Sequence, residues 1–260
     1  MPSTQQSSHP SGLGITFHEY GHVYRDDNGM EYTSGTAIVS RVKPKFDPDG
    51  SITKRCADRA GVTVEQLKAQ WKAKGDKACT YGTRMHEAME RQFKGEFNRI
   101  PRGMSPLEEN TLKIIWDMVT SLQSKYRFIA AEQIVFSPPL HIAGSIDLLL
   151  ADDANRILWV PDLKTNEKLE RESSYGNKML APVAHLDDCA LSHYSIQLGL
   201  YSRLIASEGY LEANGMAGYD VRGMLLWIPH MADAVEYIPT LNVQHEIAEI
   251  LLARAYDIPF

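Results

Sequence analysis

Between Phe128 and Thr165 the chain makes three short runs rich in isoleucine, valine and leucine: FIAAEQIVFS, HIAGSIDLLLA and RILWVPDLKT. Runs of this length, broken by turn residues, read as strands rather than helices. Asp152-Asp153-Ala154-Asn155 separates the last two as a turn, so the three are expected to be neighbours in an antiparallel meander. Helical patterns precede them. VEQLKAQWKAKG and TYGTRMHEAMERQFKGE are two, the second with Met85, Met89 and Phe93 at spacing four. Ser105-Pro106-Leu107-Glu108 is a capping box with proline at the first helical position. It opens a helix to about Tyr126 that carries Leu112, Ile115, Trp116, Val119 and Leu122 on one face.

After the meander a helix is expected from about Asp187 to Ser207. Two strands follow, VRGMLLWIPH and AVEYIPT, joined by Met231-Ala232-Asp233, and then a helix from about Val243 to Tyr256. Near the start, aromatic and β-branched residues around Asp27-Asn28-Gly29 signal a hairpin. Residues 1–13 read as a disordered tail. The expected fold is therefore α/β (α+β), a central mixed sheet flanked by helices. At 260 residues one domain over 14–260 is the default. Its residues 14–80 form an N-terminal hairpin and a helical insertion, and 80–260 form the core.

An apolar fraction of 43% with 23% charged residues excludes a disordered or collagen-like chain. No apolar run reaches the ~18 residues that span a bilayer, so no membrane partner is expected. The opening MPSTQQSSHPSGLG lacks the apolar centre of a secretory signal, and the cytoplasm is the expected compartment. Three scattered cysteines, Cys56, Cys79 and Cys189, exclude a disulfide framework and an iron–sulfur cluster held by four cysteines of this chain. The net charge of −6 argues against a polyanion partner, but its distribution argues for one. From Lys68 to Arg102 nine basic residues face four acids, leaving +5 on one stretch of an acidic chain.

The chemistry concentrates on Asp147, Asp162 and Lys164. A carboxylate inside Gly144-Ser145-Ile146-Asp147-Leu148-Leu149-Leu150 is costly to bury unless it is paired or binds a metal. Its neighbours Ile146 and Leu148 are expected on the opposite face. Asp162 and Lys164, two apart, share a face, with Leu163 turned to the core. Pairing of the two strands would bring Asp147 beside Asp162, and two such carboxylates repel unless a cation lies between them. Hard oxygen donors favour Mg2+, with Mn2+ as a substitute. Lys164 could hold or help deprotonate a water and neutralise a phosphate oxygen. Glu132, in the preceding strand, could add a third carboxylate. His86 lies on a helix with Glu90 one turn on to orient it. Gln197 and Tyr201 share a helical stripe and could grip DNA, while Ile196, Leu200 and Leu204 form the buried stripe.

In order, His86, Glu132, Gly144-Ser145-Ile146-Asp147, Asp162-Leu163-Lys164 and Gln197-Leu198-Gly199-Leu200-Tyr201 resemble the PD-(D/E)XK nuclease superfamily. The similar branch is the RecB-type and lambda-exonuclease-like one, with its small phage-encoded exonucleases. Pro161-Asp162 places the proline before the second acid, whereas Ile146 precedes the first. The resemblance implies a restriction-endonuclease-like sheet and a Mg2+-dependent DNA exonuclease in phage-type replication or recombination. It implies that Asp147, Asp162 and the Leu163 carbonyl ligate the metal, with Glu132 completing the shell. Lys164 would position the attacking water, and His86 would be a further ligand or touch the scissile phosphate. Gln197 and Tyr201 would position DNA, with Arg84, Lys68 and Lys72 as backbone contacts. A structure- or single-strand-specific endonuclease of the same fold and a non-catalytic nucleic-acid-binding module are the competing readings. DNA is the expected partner; a second copy of the chain and a single-strand annealing or replication protein remain open. No Walker A motif is present, so any translocase would be a separate chain.

Overall fold

The computed structural model describes residues 4–96 and 103–256; Arg99 and Arg102 of the basic stretch lie outside them. Its centre is the expected meander: β5 (Arg127–Ser137), β6 (Ile142–Asp152) and β7 (Ile157–Lys164). β6 pairs antiparallel with β5 over nearly its whole length. Its other edge is shared. At one end Ile142 and Ala143 pair parallel with β4 (Glu31–Ser34), and at the other Leu150–Asp152 pair antiparallel with β7. Between them the sheet forks. Polar side chains take up backbone groups there, as buried or half-buried amides require. The Ser145 N–H donates to Tyr24 Oη at 3.2 Å, and the Leu163 N–H donates to Asp147 Oδ2 at 2.8 Å.

β7 continues into a parallel pair with β8 (Asp220–Trp227), which pairs antiparallel with β9 (Glu236–Pro239). The sheet is thus mixed, as expected. One face packs on α1 (Gly35–Arg41), α5 (Ala190–Ser207) and α7 (Gln244–Ala255), around Val160, Leu149, Leu200 and Ile247. The other packs on α3 (Val64–Phe93) and α4 (Pro106–Lys125), around Met85, Met89, Ile115 and Leu163. The remaining helices are α2 (Ser51–Ala60) and the short α6 (Tyr210–Ala213). Both α3 and α4 begin in capping boxes, Thr63 with Gln66 and Ser105 with Glu108. Among the described residues, no helix is long and apolar enough to cross a membrane.

Three features depart from expectation. The two helical patterns before residue 95 are one 30-residue helix, α3, because nothing between them carries a proline and Gly75 alone does not stop a helix. The tail is not disordered over residues 4–8. Thr4–Ser8 is strand β1, pairing with β2 (Gly14–His18), and β2, β3 (Val23–Asp26) and β4 run on as antiparallel neighbours. β1 buries no apolar stripe. Gln5 donates from Nε2 to the Glu132 carbonyl, and Ser7 Oγ donates to the Ile134 carbonyl at 3.1 Å. Finally, face alternation along β6 changes phase at Asp147. Ile146 joins the α5 core with Leu149 and Ala151, while Leu148 joins the α3 core with Leu150. Ile146 and Leu148 therefore do not share a face.

Candidate metal centre

Three carboxylates align across the meander. Ala131 pairs with Leu148 and Gln133 with Ile146, so Glu132 stands opposite Asp147; across the fork, where the β6–β7 ladder has ended, the Leu163 N–H beside Asp162 donates to Asp147. Glu132 has a backbone φ of +50°, sparsely populated for a residue with a side chain and a conformation that concentrates at functional sites. From the α3 side, His86 reaches Asp147, with Nδ1 3.1 Å from Oδ2. His86, Glu132 and Asp147 each offer one ligand atom, and these lie within 4.8 Å of one another. One imidazole and two carboxylates at that spacing fit a divalent cation, and the carboxylates admit Mg2+ or Mn2+.

Asp162 is held differently. It is buried at 7% exposure, and its Oδ2 lies 2.5 Å from Lys164 Nζ. Asp147 thus groups with His86 and Glu132, while Asp162 pairs with Lys164. Leu163 is tied to the site by its N–H, which donates to Asp147 Oδ2.

The electrostatics follow from burial and these partners. Burial pulls the His86 pKa down, but the charge and hydrogen bond of Asp147 override it and hold the imidazole up to about 9. Burial pushes Asp147 up, yet His86, Lys164 and the Leu163 N–H more than offset it and keep its carboxyl below the ordinary range. Glu132 is pushed up to about 7, by burial first and then by the charge of Asp147. Burial raises Asp162, and Asp147 adds to it against Lys164. Lys164 loses to burial but gains more from Asp162 and Asp147, so it stays charged. Two contacts interlock at the centre, His86 with Asp147 and Lys164 with Asp162.

A pH dependence follows. His86 titrates higher folded than at its ordinary 6.5, so its contribution to stability is fully present below about pH 6.5 and lost as pH rises through about 9. In chelator, the stability gap between wild type and His86→Gln is expected to shrink over that window, read from chemical denaturation. A gap that stayed constant would mean that folding leaves the His86 pKa at its ordinary value, against the hold of Asp147.

The centre opens on a cleft of about 1020 Å³. One wall is α3, at Cys79, Gly82, Thr83 and Glu87; the other is β1, at Thr4–Ser7. Lys94 lines it too, paired with Glu90. Glu90 is thus engaged by Lys94, and the partner that orients His86 is Asp147.

The other expected contacts fall into three groups. Gln197, half-buried, donates from Nε2 to Tyr201 Oη at 3.2 Å and lies 3.5 Å from Thr36 Oγ1. Tyr201 is 3% exposed and part of the core, wedged against Gly35 and Gly144. Its ring is closed to direct contact with DNA, and what it does is hold Gln197 in place. Arg84 is exposed and pairs with Glu108 of the α4 cap. Lys68 and Lys72 pair with Asp49 at 2.5 Å and Asp76 at 2.7 Å, about 27 and 21 Å along α3 from His86 at ~1.5 Å per residue.

Sequence reasoning missed Tyr194. Its ring face lies 4.6 Å from Lys164 Nζ, opposite Asp162 in role, so the ammonium is held by a carboxylate and a π-face together. The signal was present in the spacing: Tyr194, Gln197 and Tyr201 recur at three and four along α5.

No family model matches the chain, and no curated protein matches it. Among solved structures, that of SSO0001 aligns with 86% of this chain and 74% of its own length, at 16% identity and a TM-score of 0.31. A likeness that slight transfers neither fold nor activity.

Proposed function

We propose that the protein is a divalent-metal-dependent deoxyribonuclease, an exonuclease of phage-type DNA replication or recombination working in the cytoplasm. The observation that carries this reading is the triad His86, Glu132 and Asp147, with ligand atoms within 4.8 Å, beside the buried Asp162–Lys164 pair. The resemblance of the ordered motifs to PD-(D/E)XK nucleases supports it.

His86, Glu132 and Asp147 would hold the cation, and Asp162 stands ready as a further carboxylate once Lys164 turns to substrate. The metal supplies Lewis acidity and a lowered water pKa. Lys164 holds the attacking water and offers positive charge to the phosphate as negative charge gathers on it. Tyr194 keeps the lysine from swinging out to solvent. Gln197, held by Tyr201 and Thr36, would offer its amide to the DNA backbone.

The test is a time course on DNA labelled at the 5′ or 3′ end, single- and double-stranded, with Mg2+ or Mn2+. Mononucleotide release from linear DNA, with closed circles untouched, is the expected result. Cutting of circles would mark an endonuclease. Binding of DNA without hydrolysis under any divalent ion would overturn the enzymatic reading in favour of a binding module.

A further inference from the structure

From Ala69 to Thr80, twelve successive residues of α3 are exposed. More than three turns of helix therefore meet water on every face, although helices in folded domains ordinarily bury a stripe. This arm carries Lys72, Lys74 and Lys77 against one acid, Asp76. The flanking segment has the same sign. From Arg41 to Lys68 seven basic residues face four acids, and with the arm the stretch to Lys77 carries +5 in a chain whose total is −6.

The arm also bears an aromatic pair. Trp71 is 39% exposed and Phe46, from the loop before α2, is 59% exposed, with ring centroids 6.0 Å apart at 62°. Rings left in water between lysines are suited to unpaired bases, which every nucleotide offers as a flat face and a duplex hides. The lysines there are held only loosely. Lys68–Asp49, Lys72–Asp76 and Lys74–Glu167 are exposed ion pairs, which contribute little and which a phosphate can replace.

The arm is continuous with the candidate centre. Cys79, Gly82 and Thr83, at its end, line the cleft. Lys74 meets Glu167, three residues beyond Lys164, at 3.4 Å. Trp71 lies about 22 Å along the helix axis from His86 at ~1.5 Å per residue.

We propose that this arm, Ala69–Thr80 with Phe46 beside it, seats an unpaired nucleic-acid strand, its bases stacked on Phe46 and Trp71 and its phosphates on Lys72, Lys74 and Lys77. The strand would run from there into the cleft. The inference rests on the nuclease reading for what happens at the far end, and it narrows the substrate to one whose reacting end is single-stranded.

The experiment measures binding without cleavage. Fluorescence anisotropy of a labelled oligothymidylate of about 16 nucleotides in EDTA is compared with a blunt duplex of equal length. Wild type is expected to prefer the single strand. Trp71→Ala and Phe46→Ala are expected to weaken that binding about tenfold or more, Trp71→Phe to retain most of it, and neither alanine variant to change duplex binding. Oligothymidylate should quench the tryptophan emission of wild type but not of Trp71→Phe. Equal single-strand affinity in wild type and Trp71→Ala would overturn the proposal, as would no single-strand binding or an equal loss on duplex. Hydrolysis is read separately. A protein that grips the strand through Trp71 and cuts nothing keeps the arm and loses the nuclease; one that cuts DNA with Trp71→Ala binding unchanged does the reverse.

Discussion

Lys164→Met is expected to reduce DNA hydrolysis about a thousandfold, the scale of losing one general acid–base or charge-stabilising group. The same change removes the cation beside Asp162, which is 7% exposed and 2.5 Å from the lysine. A buried carboxylate left alone costs about 3 kcal/mol or drives the group to take up a proton. Lost activity could then be blamed on lost folding, and a second variant separates the two. Asp162→Asn with Lys164→Met removes both charges, so much of the stability should return while hydrolysis stays absent. Denaturation midpoints and turnover on the same samples decide. If the double variant regains activity along with stability, Lys164 is a structural partner of Asp162 and the proposed chemistry fails.

Gly144→Ala is expected to cost about 3 kcal/mol, at the upper end of overpacking effects. A Cβ on Gly144 would lie 2.3 Å from Tyr201 Cε1 and 2.5 Å from its Cζ and Oη. The same ring edge lies so close to Gly35 that a Cβ there would also meet Cε1, at 2.5 Å, so the ring is seated against the backbone of both α1 and β6. The glycine that opens the Gly144-Ser145-Ile146-Asp147 run is therefore the floor on which a buried tyrosine rests, three residues from the candidate metal ligand. Tyr201→Leu in the Gly144→Ala background should recover part of the loss, giving a coupling that distant sites do not show. Additive effects in that cycle would mean that the ring has another place to go.

Much of the sheet was legible because period two and turn residues are local signals. The β5–β6–β7 meander and the strands β8 and β9 appear where the apolar runs place them. Asp162 and Lys164 do share a face, with Leu163 buried between them. What escaped depends on partners far along the chain. The fork beside Asp147 exists because Thr33 and Ser34 reach β6 from over a hundred residues away. Strand β1 was read as disorder because TQQSS has no apolar alternation; its hold on β5 is through Gln5 and Ser7 to backbone carbonyls. Tyr201 was placed at the surface by its spacing from Gln197, and only two glycines from other elements reveal that the helix face there is closed. The basic stretch looked unopposed in sequence, yet Lys68, Lys74 and Arg84 each meet an acid from elsewhere in the chain.

The wall that β1 contributes has a consequence for the order of events in a cell. Gln5 and the Glu132 carbonyl it meets are 127 positions apart. Closing so long a loop is slow and is repaid only after the rest of the sheet exists. Pairing of β1 with β2 is local and needs nothing further, but the contacts of β1 with β5 must wait until the meander has been synthesised. The groove takes shape late, when β5 and β6 give those polar side chains something to hold.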